Sequence, residues 1–263
     1  MPCATGRGMN YWTAAPDIVD AFVQPGGHGG ASIPLELMLR TLTAVLPERP
    51  LRLVDLGGGD ATLAVRLAMA GHEVVVQDID PQMIALGEQR LARGPGAIRD
   101  RVRLICADGA TMAADQAEVA DLVCCHSVLM YEDDPAPLVR TAVALCKTGG
   151  LVSIVAINPA AAAMRSGLAQ RWAEARIALE TGSDAHGPYA ASRNHTRATV
   201  EGLLSEAGAG IVEWSGIGIF TDHHTGPILA DEPEDVLRAE WLAGRLDPYR
   251  QVARCYHLIA RKL

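Results

Sequence analysis

Between residues 51 and 157, short apolar runs alternate with longer mixed segments. The apolar runs predict strands at 51–56, 73–78, 102–107, 120–125 and 151–157. The mixed segments carry apolar residues at three- and four-residue spacing. They predict helices over 61–70, 81–92 and 136–146, with a short helical piece at 112–116. Pro81 suits the first turn of its helix, and Gly71 and Gly149-Gly150 mark helix ends. Strands alternating with helices of this length predict a doubly wound, mostly parallel α/β sheet.

The flanks follow other patterns. Residues 1–30 are irregular and glycine-rich, with a short helix at 17–23. A helix over 34–46 is stopped by Pro47 and Pro50. Beyond residue 158 an alanine-rich helix is predicted over 160–181 and a polar loop over 182–195. A helix over 196–207 opens on Thr196 as its N-cap. Strand-like segments at 210–220 and 252–263 flank a helix at 234–245 and predict an antiparallel pair at the sheet edge.

Composition adds three constraints. Hydrophobic residues make up 49% of the 263, so a large core can form, and aromatics only 4%, so Ala, Val and Leu must build it. The net charge is −8 and no basic run exceeds Arg261-Lys262, a poor footprint for nucleic-acid binding. The six cysteines form no C-x-x-C pair, which predicts reduced buried thiols and no metal site. With neither a leader pattern nor a bilayer-length apolar run, a cytoplasmic location is expected.

The chemistry concentrates at two strand ends. The first strand runs through Asp55 into Gly57-Gly58-Gly59, and the second ends at Asp78. Glycines let a ligand approach the backbone, and an acid closing the next strand can accept both hydroxyls of a ribose. A dinucleotide fingerprint would place a third glycine where Thr62 stands. Asp55 would oppose a pyrophosphate but suits a cationic ligand. The third strand ends Cys106-Ala107-Asp108-Gly109-Ala110, which offers a carboxylate to an adenine amine. A nicotinamide-dependent oxidoreductase remains the alternative at this point.

Five segments, in this order, resemble the motifs of class I S-adenosylmethionine-dependent methyltransferases. They are Val54–Asp60, Asp78–Met83, Ala107–Gly109, Asp121–Leu129 and Lys147–Leu151. The likeness runs from about Leu51 to Leu263. It implies a seven-stranded sheet of order 3-2-1-4-5-7-6 with strand 7 antiparallel, and S-adenosylmethionine as cofactor. By the same resemblance, Gly57, Gly58 and Gly59 line the methionine part of the cofactor and Asp55 lies under its ammonium. Asp78 takes the ribose hydroxyls, and Ile79 and Met83 sandwich the adenine. Asp108, with Gly109 and Ala110, holds its amine, and His126 sits at the methyl end. Within the family the chain is most similar to the group that esterifies the carboxylate of carboxymethoxyuridine in tRNA. The segments His126–Leu129, Gly216–Asp222 and Tyr249–Lys262 carry that likeness. The arm at Gly26–Ala31 departs from it, lacking the basic residues those enzymes carry there.

Four parts follow as expectations: an arm and helix covering the cofactor (1–48), a cofactor-binding core (49–158), an inserted helical cap (159–195), and a C-terminal helix with the strand pair (196–263). Tyr11 and Trp12 lie in the arm. The expected function is methyl transfer to oxygen or nitrogen of a small metabolite, with a carboxylate among the options. A tRNA wobble-uridine carboxyl is the alternative acceptor, and a homodimer is left open. A phenol or alcohol acceptor wants a base. His126, His223 and Tyr131 are the catalytic candidates, with His195, His224 and Asp222 considered beside them. A carboxylate acceptor wants a cation, for which Arg165, Arg193 and Arg197 are the candidates.

Overall fold

In the computed structural model, residues 32–109, 118–183, 193–223 and 233–263 are described. The predicted pieces at 17–23 and 112–116, the arm with Tyr11 and Trp12, Ala110 and His224 lie outside them.

The chain enters through helix α1 (Ile33–Val45), whose N-cap Ser32 accepts from the Leu35 amide. Strand β1 (Arg52–Leu56), α2 (Thr62–Met69), β2 (Glu73–Asp78), α3 (Pro81–Arg93), the short α4 (Gly96–Arg99) and β3 (Val102–Cys106) follow. Next come β4 (Ala120–His126), α5 (Ala136–Leu145) and β5 (Cys146–Ile157). The last third holds α6 (Met164–Leu168), α7 (Trp172–Thr181), α8 (Arg197–Glu206), β6 (Ala209–Ile217), α9 (Pro233–Ala243) and β7 (Cys255–Lys262).

The seven strands form one sheet of order β3-β2-β1-β4-β5-β7-β6. Strands β1 to β5 pair in parallel, and β7 runs antiparallel to both β5 and β6. The predicted order is therefore observed, with the late strand pair at one edge. Strict alternation splits the core between two faces. Val123, Cys125, Val152, Ile154 and Leu258 face one side, where α5 and α8 supply Leu138, Val139, Val200 and Leu204. Leu53, Leu122, Cys124, Leu151 and Ile259 face the other, against Leu35 and Leu42 of α1 and Leu63 and Leu67 of α2.

Three local expectations are corrected. The single helix over 160–181 is three pieces. Asn158 caps a one-turn segment at Pro159–Ala161, and Gln170 takes a φ of 59° between α6 and α7. Alanines favour helix everywhere in this stretch but supply no signal for its breaks. The chain leaves helix at Cys146, before Gly149-Gly150. Those glycines lie inside β5, where the pairing with β4 shifts register and Gly149 has a φ of 78°. Among the described cysteines, Cys124, Cys125, Cys146 and Cys255 are free thiols, whereas Cys106 is disulfide-bonded. No helix among the described residues is long and apolar enough to cross a membrane.

Candidate active site

Doubly wound sheets place ligands beyond the carboxyl ends of their strands, where connections diverge to opposite faces. Here β1 and β4, the two central neighbours, end at Leu56 and His126. The β1 bend is built tightly. The amides of Gly57 and Gly58 both donate to the Gln77 carbonyl, at 2.7 and 3.2 Å. Gly57 and Gly59 have φ of 67° and 56°, and Ala61 at the start of α2 has 63°. A Cβ at Gly57 would meet Val128 Cγ2 at 2.5 Å, and one at Gly58 would meet Asp55 Oδ2 at 2.7 Å. At Gly59 a Cβ would meet nothing within 4 Å. The first two glycines are thus required by packing, while the third borders open space. Arg90 ties the bend to α3, pairing with the Asp60 carboxylate and donating from Nε to the Asp60 carbonyl at 3.0 Å.

Asp55 and Asp78 come together at this bend. Asp78 Oδ2 accepts from the Gly59 amide at 2.9 Å and its Oδ1 from the Asp80 amide at 2.8 Å. Burial raises its pKa above the usual carboxylate range, and those amides pull it back. Asp55 is 3% exposed, and its Oδ2 has no hydrogen-bond partner among the described residues. Burial first, then the charge of Asp78, pushes its carboxyl up to about 7. An orphaned buried carboxylate is costly to ionise unless a cation joins it.

The tip of β3 is tied in beside them. The Ala107 amide donates to the Asp78 carbonyl at 3.0 Å, and Gln77 Nε2 bonds the Ala107 carbonyl. Asp108 is exposed at this tip, and Gly109 packs toward Gln77 and Leu138. Ile79 is half exposed, whereas Met83 is buried on α3.

His126 closes β4, and the next residue, Ser127, takes a φ of 58°. Its Nε2 lies 2.8 Å from Ser153 Oγ, which lies 2.7 Å from His257 Nε2. Burial pushes the His126 pKa down to about 4. Tyr131 sits in the short helical turn Leu129–Tyr131 and is 36% exposed. His223 belongs to a different locale. Its turn, Thr221–His223, follows β6, three strands from β4, roughly 14 Å away at ordinary strand spacing.

Glu240 of α9 fixes that turn, accepting from the amides of Ile219, Phe220 and Thr221 at 2.7–2.9 Å and from the Thr221 hydroxyl at 2.8 Å. Asp222 lies 3.8 Å from the buried Arg254. His195 serves as a tether: its Nε2 lies 2.9 Å from the Glu132 carbonyl, and its own carbonyl accepts from the Tyr256 hydroxyl. Arg193 and Arg197 pair with Asp133 and Glu201. Arg165 lies on α6, which packs against the Thr221–His223 turn. Sequence reasoning missed Ser153, His257, Glu240 and Arg254. Each is a polar residue inside an element that reads as core, and only the period-two alternation of β5 and β7 put Ser153 and His257 on one face.

This sheet order, with a glycine bend after its first strand and an acid closing its second, defines a Rossmann-like enzyme of the class I methyltransferase type. Residues 54–152 match the methyltransferase domain family. The chain is 27% identical over 226 residues to the tRNA 5-carboxymethoxyuridine methyltransferase of Escherichia coli, covering 85% of this chain and 84% of that one. A shorter likeness, 27% over 128 residues, covers 48% of this chain and 52% of the ubiquinone biosynthesis O-methyltransferase of Xanthomonas axonopodis pv. citri. Magnesium protoporphyrin IX methyltransferase from Synechocystis PCC 6803, solved with bound S-adenosylhomocysteine, superposes with a TM-score of 0.61 at 16% identity, covering 97% of both chains. The chain is an S-adenosylmethionine-dependent methyltransferase on this fold, with S-adenosylmethionine as its cofactor.

Proposed function

We propose that the chain transfers a methyl group from S-adenosylmethionine to a carboxylate oxygen of a small acid. In this reading Gly57, Gly58 and Gly59 line the cofactor's methionine part, and Asp55 receives its ammonium. Asp78 takes the ribose hydroxyls, Ile79 and Met83 flank the adenine, and Asp108 with Gly109 meets its amine. The orphaned Asp55 oxygen beneath the glycine bend supports the fit: a cation there would relieve a buried carboxyl that has no other partner among the described residues. When bound, the cofactor supplies an activated methyl, which passes to an acceptor lone pair as the carbon–sulfur bond opens and the electron pair goes to sulfur.

The protein's own part is alignment and water exclusion. His126 bears on the acceptor class and carries this reading. A buried imidazole with a pKa near 4 is neutral and a poor base near pH 7. A carboxylate needs no base, because its oxygen lone pairs are already available. His126 therefore orients the acceptor, with Tyr131 at the rim. The described part of the inserted segment, 159–183 with its helices α6 and α7, is read as the cover of the acceptor end. His223, three strands away, is left to the outer wall.

The full-length likeness to an enzyme named for carboxymethoxyuridine in tRNA favours a second reading, the same esterification on a nucleic acid. Both share the carboxyl acceptor. Methyl transfer from labelled S-adenosylmethionine to a panel of carboxylic acids, phenols, amines and bulk tRNA tests the proposal. The expected product is a methyl ester that releases methanol in mild alkali. Label fixed only on phenols or amines, in alkali-stable form, would overturn the carboxylate assignment.

A further inference from the structure

Three polar side chains meet inside the sheet where alternation would normally place only apolar ones. His126, Ser153 and His257 come from β4, β5 and β7, three successive strands. His257 is 0% exposed and so is Ser153. Ser153 Oγ bridges the two Nε2 atoms at 2.8 and 2.7 Å, and the rings meet edge to face at 5.5 Å. The Nδ1 atoms of both histidines are buried, with no hydrogen-bond partner among the described residues.

A serine hydroxyl has one proton. Bridging two neutral imidazoles, it donates to one ring and accepts from the other, so the two histidines must hold opposite tautomers. Either His126 keeps a bare Nδ1 and His257 an Nδ1–H, or the reverse. We propose that this chain of three is a positioning device that holds His126 as the Nδ1–H tautomer, so that the ring at the methyl end is fixed and keeps no bare Nδ1 to act as a base. The proposal rests on the carboxyl-acceptor reading above and deepens it.

One observation selects that direction. Arg245, held on the β6 side of β7 by Glu213 of β6 at 2.8 Å and Thr41 of α1 at 3.3 Å and lying over the Trp241 ring at 3.2 Å, places its charge near His257, whereas Ser153 lies on the β5 side. A positive charge on that side favours a bare nitrogen at His257 Nδ1 over an N–H. His257 Nε2–H then donates to Ser153, and Ser153 donates to His126 Nε2. Both rings are also held neutral. Burial lowers the pKa of each, and the charge of Arg245 adds to the effect at His257. Because His257 resists protonation, the chain ends blind and does not carry protons away. Ser153 and His257 therefore act through His126 and are positioning residues.

Ring-nitrogen NMR on the full chain labelled with 15N-histidine reads the tautomers directly, with signals assigned by His126→Gln and His257→Gln. At about pH 7, His126 is expected to show a protonated Nδ1 and a bare Nε2, and His257 the opposite. Ser153→Ala should return His126 to a mixture of tautomers. His257→Gln, whose amide can still donate to Ser153, should retain the Nδ1–H form. An Nε2–H tautomer of His126 in the unaltered protein, or an unchanged single tautomer in Ser153→Ala, would overturn the proposal. Adding S-adenosylhomocysteine separates the two levels. Failure of the His126 ring signals to move would overturn its placement at the methyl end, whichever tautomer the spectra show.

Discussion

At the scale of single residues, the site pairs two acids with opposite surroundings. Asp78 is satisfied by amides of Gly59 and Asp80, whereas Asp55 keeps an oxygen with no partner among the described residues. Asp78 holds the bend, and in the proposed reading it also meets the ribose. Asp78→Ala is expected to weaken S-adenosylhomocysteine binding at least about tenfold, since charge-assisted bonds to hydroxyls are lost. Unchanged affinity in a folded variant would remove the ribose assignment. Asp55 also sets a pH dependence of stability. Its folded-state pKa is raised from 3.8 to about 7, so the folded chain holds that proton where the unfolded chain has released it. Stability of the ligand-free protein should fall as pH rises across that window and level off above it. Asp55→Asn should flatten the trend in denaturant midpoints. The glycines give a sharper contrast. Gly57→Ala puts a methyl into Val128 on a left-handed backbone and should cost about 2–5 kcal/mol of stability. Gly59→Ala meets no neighbour, so only its left-handed backbone costs it, about 1–2 kcal/mol. Yet its methyl would point into the proposed cofactor space. It should therefore fold while losing S-adenosylhomocysteine affinity.

At the scale of elements, what was legible followed local chemistry. Pro81 signals the start of α3, and the structure adds Asp80 as its cap, the side chain accepting from the Gln82 amide. Thr196 caps α8 through the Thr199 amide. Strands β1, β2, β4 and β5 were legible because each carries an apolar run mostly buried on both faces, while β3, at the sheet edge, is only half-buried. The breaks at Asn158 and Gln170 were not, because alanine satisfies helix and connection alike. The acids and glycines of the β1 bend stand close together in sequence, so their meeting could be read from it. The His126–Ser153–His257 chain could not: Ser153 and His257 are 104 residues apart and meet only through sheet register. Glu240 was hidden for the same reason. Reaching from α9, it satisfies three backbone amides and a hydroxyl after β6. Glu240→Ala should cost on the order of 3 kcal/mol, because those buried donors lose their acceptor. A denaturant midpoint within about 0.5 kcal/mol of the unaltered chain would contradict the clamp.

At the scale of the whole molecule, charge separates the two acceptor readings. The chain carries −8 overall, and much of its described arginine complement is committed to acids. Arg40, Arg66, Arg90, Arg171, Arg176, Arg193, Arg197, Arg245 and Arg250 each lie within 3 Å of a carboxylate oxygen. Phosphate binding would have to break such pairs, which argues for a small acid. Bulk tRNA is accordingly expected to give no salt-sensitive mobility shift; a shift at low salt that fades as salt rises would favour the tRNA reading. The central claim is narrower than either acceptor: a buried acid at the β1 tip grips the cofactor's ammonium. Calorimetric titration with S-adenosylhomocysteine, in buffers of differing ionisation enthalpy, tests it most directly. At about pH 6, below the Asp55 pKa, binding should release close to one proton, and the release should vanish in Asp55→Asn. Binding without proton release in the unaltered chain, or no binding where NADH binds, would contradict it.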